Sequence, residues 1–252
     1  MLNYTSGTTG DSKGVKVSHW GILSSALIFM EAQGFTENDV AIDYLPAPHV
    51  FDQFMFVAIM IAGGSQGYYQ GNPLKLMEDC AVLQPTLFPS VPRLYNKIYA
   101  KIKTAFDSAT GCKKFLVDRG LASKSYYLKD CPTASYTSGC YDSLVFSKVA
   151  KLLGGRVRVM VTASAPISKD VLELLKIAFC CPVLEAYGLS ETSGAVTMTF
   201  PPDPISGTIG GPFKHTAIRL KDLPEMEYRI TDKPFPRGEI CVRSPCVTSG
   251  YF

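Results

Sequence analysis

The chain has 252 residues, 46% of them hydrophobic, which is enough apolar material for one large domain or two modest ones. Lys plus Arg exceed Asp plus Glu by only 25 to 22, which excludes both a broad basic field for nucleic acid and an acidic tail. Eight scattered cysteines, without a CxxC pair or an upstream signal peptide, read as reduced intracellular thiols rather than a disulfide framework.

The chain opens on the loop-like stretch YTSGTTGDSKGV, residues 4–15. Ser18 then stands ready to cap a helix to about Gln33, with Trp20, Leu23, Leu27 and Met30 on its apolar face and Gly34 as its stop. VAIDYLP reads as a strand entering a loop, residues 52–62 as a buried helix and GYY as a short strand. The apolar run FMFVAIMIAGG from Phe54 is far shorter than the ~20 residues of a bilayer span, which favours a buried helix.

Asn72 and Pro73 open another helix, TLFP is a buried strand, and Pro92 begins a long helix through Phe106. Residues 108–142, rich in Ser, Thr, Lys and Tyr, predict irregular structure or short helices. The rhythm returns with a helix near 143–153, the strand RVRVMVT, a helix capped by Ser168 and the strand PVLEAY. From Ala195 onward, short strands such as AIRLKDL and EICVRSP predict a small antiparallel β-rich unit. The whole predicts an α/β fold: a mostly parallel sheet covered by helices over 1–200, followed by the β-rich unit over 201–252.

In the opening loop, Gly7, Gly10 and Gly14 allow tight turns, while Thr5, Ser6, Thr8 and Thr9 add hydroxyls and Lys13 a mobile charge. That combination suits a polyphosphate; the competing reading is an ordinary Gly/Ser/Thr surface loop. It is not a Walker loop, because no GKS or GKT follows. EAYGLSET, residues 185–192, sits after a buried strand, where open α/β sheets bind ligands. There Tyr187 is placed to cover a base, Ser190 to bond a phosphate and Glu191 to hold Mg2+, against the alternative of a strand end and a capping box.

TASAPIS, residues 162–168, has small residues that allow close backbone approach, although Ser168 as a cap explains half of it. His49, in LPAPHVFDQ, is either a structural histidine or a loop group with a role in chemistry. His19 and His215 have no partners at metal-ligand spacing and read as structural, and no motif supports zinc.

Taken in order, YTSGTTGDSKGV, LPAPHVFDQ, VTASAPIS, EAYGLSET and GEICVRSPCVTSGYF resemble the signature segments of the adenylate-forming enzymes. That superfamily includes acyl-CoA synthetases, adenylation domains of peptide synthetases and luciferases. GGRVRVMVTASAPIS and PFPRGEICVRSPCVTSGYF are most similar to eukaryotic long-chain fatty acid CoA synthetases. The resemblance implies part of the large N-terminal domain of such a ligase, with ATP, a fatty acid and coenzyme A as substrates and Mg2+ as cofactor. A carboxylate attacks the α-phosphate of ATP to give acyl-AMP and pyrophosphate, and the CoA thiol then displaces AMP.

Carried over by position, Thr5, Ser6, Gly7, Thr8, Thr9 and Gly10 with Lys13 are implied as the loop over the β- and γ-phosphates. Ala163, Ser164 and Ala165 with Glu185, Ala186, Tyr187 and Gly188 are implied as the adenine pocket, Tyr187 stacking on the base. Ser190 is implied to contact phosphate, Glu191 to bind Mg2+, and His49 to stand near the acyl carboxylate. Phe51, Phe54 and Met55 permit a long acyl chain.

The loop has DSKG where many relatives place a proline, and ASA stands where other branches have paired glycines. The family's ribose-binding aspartate, its hinge and its C-terminal lid with an adenylation-promoting lysine find no match here. The resemblance therefore implies the central part of a larger enzyme, incomplete on its N-terminal side and weak in turnover by itself. It implies an intracellular protein, cytoplasmic or on the cytoplasmic face of a membrane, attached if at all through other segments. Two alternatives stay open: adenylation of another carboxylate, and a non-catalytic nucleotide-binding role.

Overall fold

Two apolar tetrapeptides, Leu87–Ser90 and Val159–Thr162, are buried at every position, as strands covered on both faces must be. They lie at the centre of a computed structural model that describes all residues except 7–10, 130–134, 202 and 204, with only the backbone of Ser6. The chain opens with a hairpin, β1 (Leu2–Ser6) and β2 (Ser12–Lys16), then α1 (His19–Gln33), β3 (Val40–Asp43), α2 (Val50–Ile61) and β4 (Ser65–Tyr68). Next come α3 (Leu76–Leu83), β5 (Leu87–Ser90), α4 (Pro92–Asp107) and α5 (Gly111–Lys129).

Short turns follow: α6 (Gly139–Tyr141), a π-helical turn Asp142–Phe146, α7 (Ser147–Ala150) and a 3₁₀ turn Lys151–Leu153. The chain then runs through β6 (Val159–Thr162), α8 (Lys169–Phe179), β7 (Val183–Leu189), β8 (Gly194–Met198), β9 (Gly211–Pro212), β10 (Ala217–Lys221) and β11 (Glu239–Arg243).

The main sheet has seven strands in the order β4-β3-β5-β6-β7-β8-β9. Its neighbours are parallel from β4 to β7 and antiparallel from β7 to β9. Alternate residues of the strands feed two cores. Ala41, Leu87, Val159, Val161 and Leu184 meet α1 and α2 on one face. Ile42, Phe88, Met160 and Val183 meet α3, α4, α5 and α8 on the other. Pro89 removes a ladder donor from the central strand β5, and the fully buried Tyr95 supplies another. Its hydroxyl donates to Phe88 O at 2.8 Å and Val161 O at 3.2 Å.

The mostly parallel sheet covered by helices, with small antiparallel elements, matches the fold read from the sequence. Ser18 caps α1 by accepting from Gly21 N at 2.9 Å, and Gly34 closes that helix at φ +57°. The face of α1 is different from the one expected. Trp20, Leu23 and Leu27 are 65%, 40% and 41% exposed, while Ile22, Ala26, Phe29 and Gln33 are buried. Both stripes have helical spacing, and the small residues Gly21, Ser24 and Ser25 decide between them by letting the helix approach its neighbours closely.

Asn72 does not open α3; it forms a turn, its Oδ1 accepting from Leu74 N at 3.0 Å, and the helix starts at Leu76. Residues 108–142 are not mainly irregular, since they contain the 19-residue helix α5. The helix expected near 143–153 is broken into π, α and 3₁₀ turns. No helix among the described residues is long and apolar enough to cross a membrane.

Candidate active site

The sheet places three loops at the carboxyl ends of its strands: β3 leads to His49, β6 to Ser164 and β7 to the turn Ser190–Thr192. Strand order reverses between β3 and β5, the switch point at which open α/β sheets receive ligands. A cleft of about 500 Å³ lies there, and Thr5, Lys13, His49, Ser164, Gly188, Ser190 and Glu191 all line it. Val50, Leu189 and Tyr251 complete the wall.

Each side chain is held by its local structure. Thr5 and Lys13 are direct partners in the β1–β2 register, so both leave the same face of the hairpin. Val15, two residues beyond Lys13 and on that same face, is fully buried with Val17, Ile22 and Val50 and anchors the ribbon. His49 is the N-cap of α2: its Nδ1 accepts from Phe51 N at 3.1 Å, which leaves Nε2 to carry the ring proton. Partial desolvation lowers the His49 pKa and favours the neutral ring.

The turn that presents Ser190 and Glu191 is locked by Thr192, which is buried. Its Oγ1 accepts from Leu189 N at 2.9 Å and donates to Gly194 O at 2.7 Å. Behind the turn β7 and β8 approach so closely that a Cβ on Gly188 would lie 2.0 Å from Gly194 O. Gly194 has φ +139°, and a Cβ there would lie 2.3 Å from Ser25 Oγ. Across the cleft, Tyr251 donates its hydroxyl to Glu191 Oε1 at 2.8 Å.

A second, apolar cavity of about 30 Å³ adjoins the cleft, lined by His49, Phe51, Phe54, Ala163, Gly194 and Ala195 among others. His49 and Ser164 belong to both spaces. Ala165, Glu185, Ala186 and Tyr187 line neither; Ala186 is part of the core beneath, and Tyr187 pairs with Thr197 in the β7–β8 ladder. The Glu185 side chain is buried, and burial raises its pKa against the opposing pull of Lys176 and the Ile167 amide. Gly7, Thr8, Thr9 and Gly10 lie outside the described residues, as does the Ser6 side chain.

The sequence of the whole chain, residues 1–252, matches the family described as "AMP-binding enzyme". The chain belongs to the AMP-binding enzyme family. Long chain acyl-CoA synthetase 7, peroxisomal, of Arabidopsis thaliana is 42% identical over 249 residues, covering 99% of this chain and 35% of that protein. Long-chain-fatty-acid–CoA ligase 5 of Mus musculus is 37% identical over 255 residues, covering 100% of this chain and 36% of that protein. Among solved structures, ATP-bound MatB from Rhodopseudomonas palustris superposes with a TM-score of 0.65 at 25% identity, covering 99% of this chain and 40% of that one. The chain thus spans about 35% of the length of the synthetase relatives it matches.

Among the described residues of this member of the AMP-binding enzyme family, the cleft is lined by one cation, one carboxylate, several hydroxyls and a histidine, a donor set suited to phosphate. Among the described residues no cluster of three His, Cys, Asp or Glu side chains is arranged to hold a metal. Glu191 alone still fits Mg2+, which takes one or two protein carboxylates and draws its other oxygens from substrate phosphates and water. Tyr251 and Thr192 escaped the sequence reading. Tyr251 lies in the recognised segment GEICVRSPCVTSGYF, but no spacing rule links it to Glu191, 60 positions away.

Proposed function

We propose that this chain carries the ATP- and acyl-binding core of a long-chain fatty acid–CoA ligase. The observation that carries the reading is the convergence of Lys13, His49, Ser190 and Glu191, from three separate segments, on one polar cleft beside an apolar cavity. Lys13 and the hydroxyls of Thr5 and Ser190 neutralise and orient the phosphates of ATP. Glu191 would hold Mg2+, which offsets the phosphate charge. His49, at the junction of the two spaces, donates from Nε2 to the fatty acid carboxylate and holds it toward the α-phosphate. The attack forms acyl-AMP as pyrophosphate leaves, and the thiol of coenzyme A then takes the acyl group from AMP.

Ala163, Ser164, Ala165, Glu185, Ala186, Tyr187 and Gly188 are assigned to the adenine side in the same reading, and residues 6–10 to the phosphate loop. Residues 1–200 are taken as the AMP-binding core and 201–252 as a β-rich unit. The apolar cavity holds about 30 Å³, so an acyl chain needs Phe51 and Phe54 to move aside. An intracellular location fits the free thiols of Cys80, Cys112, Cys140, Cys180, Cys181, Cys241 and Cys246.

The test is Mg2+-dependent ATP binding together with carboxylate-dependent ATP–pyrophosphate exchange, across short, medium and long fatty acids. Long acids are expected to stimulate exchange most, and Lys13→Ala to lower it by about 10²-fold or more. Glu191→Gln should remove the gain in ATP affinity that Mg2+ confers. Exchange with short acids alone would redirect the reading to another carboxylate. Absence of both binding and exchange overturns it.

A further inference from the structure

Lys13 and Glu191 carry opposite charges and line one cleft, yet among the described residues they form no ion pair with each other. Tyr251 serves both instead. Its hydroxyl donates to Glu191 Oε1 at 2.8 Å, and Lys13 Nζ lies 5.6 Å from the centre of its ring, within cation–π reach.

The ring is fixed by backbone rather than by these contacts. Tyr251 bridges Val15 in antiparallel fashion, Lys16 N donates to Gly250 O at 3.1 Å and Phe252 N to Gly14 O at 2.7 Å. Residues 250–252 therefore lie alongside β2, joined to it by a single antiparallel bridge. Thr248 ties the same segment to both walls of the cleft, donating from its amide to Glu191 O at 2.7 Å and from Oγ1 to Lys16 O at 2.7 Å.

We propose that Tyr251 is a positioning residue that holds Lys13 and Glu191 apart, each set to meet its own ligand charge. The proposal rests on the reading of the cleft as an ATP site. An ammonium and a carboxylate left facing each other would neutralise one another, and an incoming phosphate or cation would first have to separate them. Tyrosine offers the carboxylate a neutral donor and the ammonium a π-face, which contents both without cancelling either charge. The phosphates and Mg2+ of ATP then displace weaker contacts.

Two measurements on the 252-residue chain test this. In calorimetric titration, Tyr251→Phe, which keeps the ring and loses the hydroxyl, should weaken ATP binding about threefold to tenfold with Mg2+ and leave Mg2+-free binding unchanged. Tyr251→Leu should weaken both. Equal losses in Tyr251→Phe with and without Mg2+ would mark a general structural role and overturn the proposal.

The second measurement needs no nucleotide: the NMR shifts of the Lys13 ε-methylene group. The ring current that displaces them should persist in Tyr251→Phe and vanish in Tyr251→Leu. Adding Glu191→Gln should then move the Lys13 signal in the Leu background, where the direct pair forms, and not in the wild type. A Lys13 signal indifferent to Tyr251, or equally sensitive to Glu191 in both backgrounds, overturns the proposal. If ATP does not bind but the NMR pattern holds, the ATP reading fails and the spacer stands.

Discussion

Ser164 holds φ +76° in the wall of the cleft, a left-handed conformation that β-branched side chains resist. Replacement by valine should cost about 1–3 kcal/mol, whereas glycine should be tolerated, and thermal melting of the two variants checks the order. The residue scale was the most legible in the sequence where chemistry is carried by composition. A lone lysine among hydroxyls and glycines and a Ser-Glu pair after a buried strand each had phosphate chemistry as one of two readings, beside an ordinary loop and a capped strand end, and the structure brings Lys13, Ser190 and Glu191 to one cleft. Thr192 was hidden because a threonine that locks a turn looks like any other. Tyr251 was hidden because its partners lie far away in sequence.

Among the elements, strands and the best-capped helices were readable because their signals are local, such as Ser18 and Gly34 around α1 or Pro92 at the start of α4. Helix α5 was not, because its buried stripe of Val117, Gly120, Lys124 and Leu128 includes a glycine and a charged residue. Lys124 is 1% exposed and pairs with Asp142 at 2.6 Å, with its ammonium 4.6 Å from the Phe146 ring centre. No pattern in the sequence announces a lysine in a core. Removing its partner leaves a buried charge, so Asp142→Ala should destabilise by about 3–5 kcal/mol in denaturant titration. Removing Lys214 from its exposed 2.6 Å pair with Glu31 should leave the denaturation midpoint almost unchanged in the same assay.

Across the whole molecule, the ends of the strands opposite the cleft are joined by Arg158 and the buried Asp39. Arg158 Nε and Nη2 donate to the two Asp39 oxygens at 2.8 and 2.7 Å, and Nη2 also reaches Gly34 O at 3.2 Å, tying β6 to β3 and α1. Burial alone would raise the Asp39 pKa, but the bonds from Arg158, Thr86 and the Thr36 amide outweigh it and hold it at about 2. This stabilisation, worth about 2 kcal/mol, is present above the unfolded carboxylate range and lost as pH falls from about 4 toward 2. Asp52 behaves in the opposite sense: burial, with Asp43 beside it, pushes its pKa up to about 6. Its stabilisation is present below about pH 4 and lost as pH rises through 6. Melting temperature against pH should lose its acid decline in Asp39→Asn and its decline between about pH 4 and 6 in Asp52→Asn.

The pairing of residues 248–252 with the hairpin constrains the order of events on the ribosome. The hairpin that carries Lys13 is synthesised well before Thr248, which joins it to the Glu191 turn and lies 232 positions after its partner Lys16. At roughly 5–20 residues per second, on the order of ten seconds or more pass before that segment can dock. Through that interval the sheet can assemble while the hairpin lacks this partner, and the cleft stays unfinished until residues 248–252 arrive.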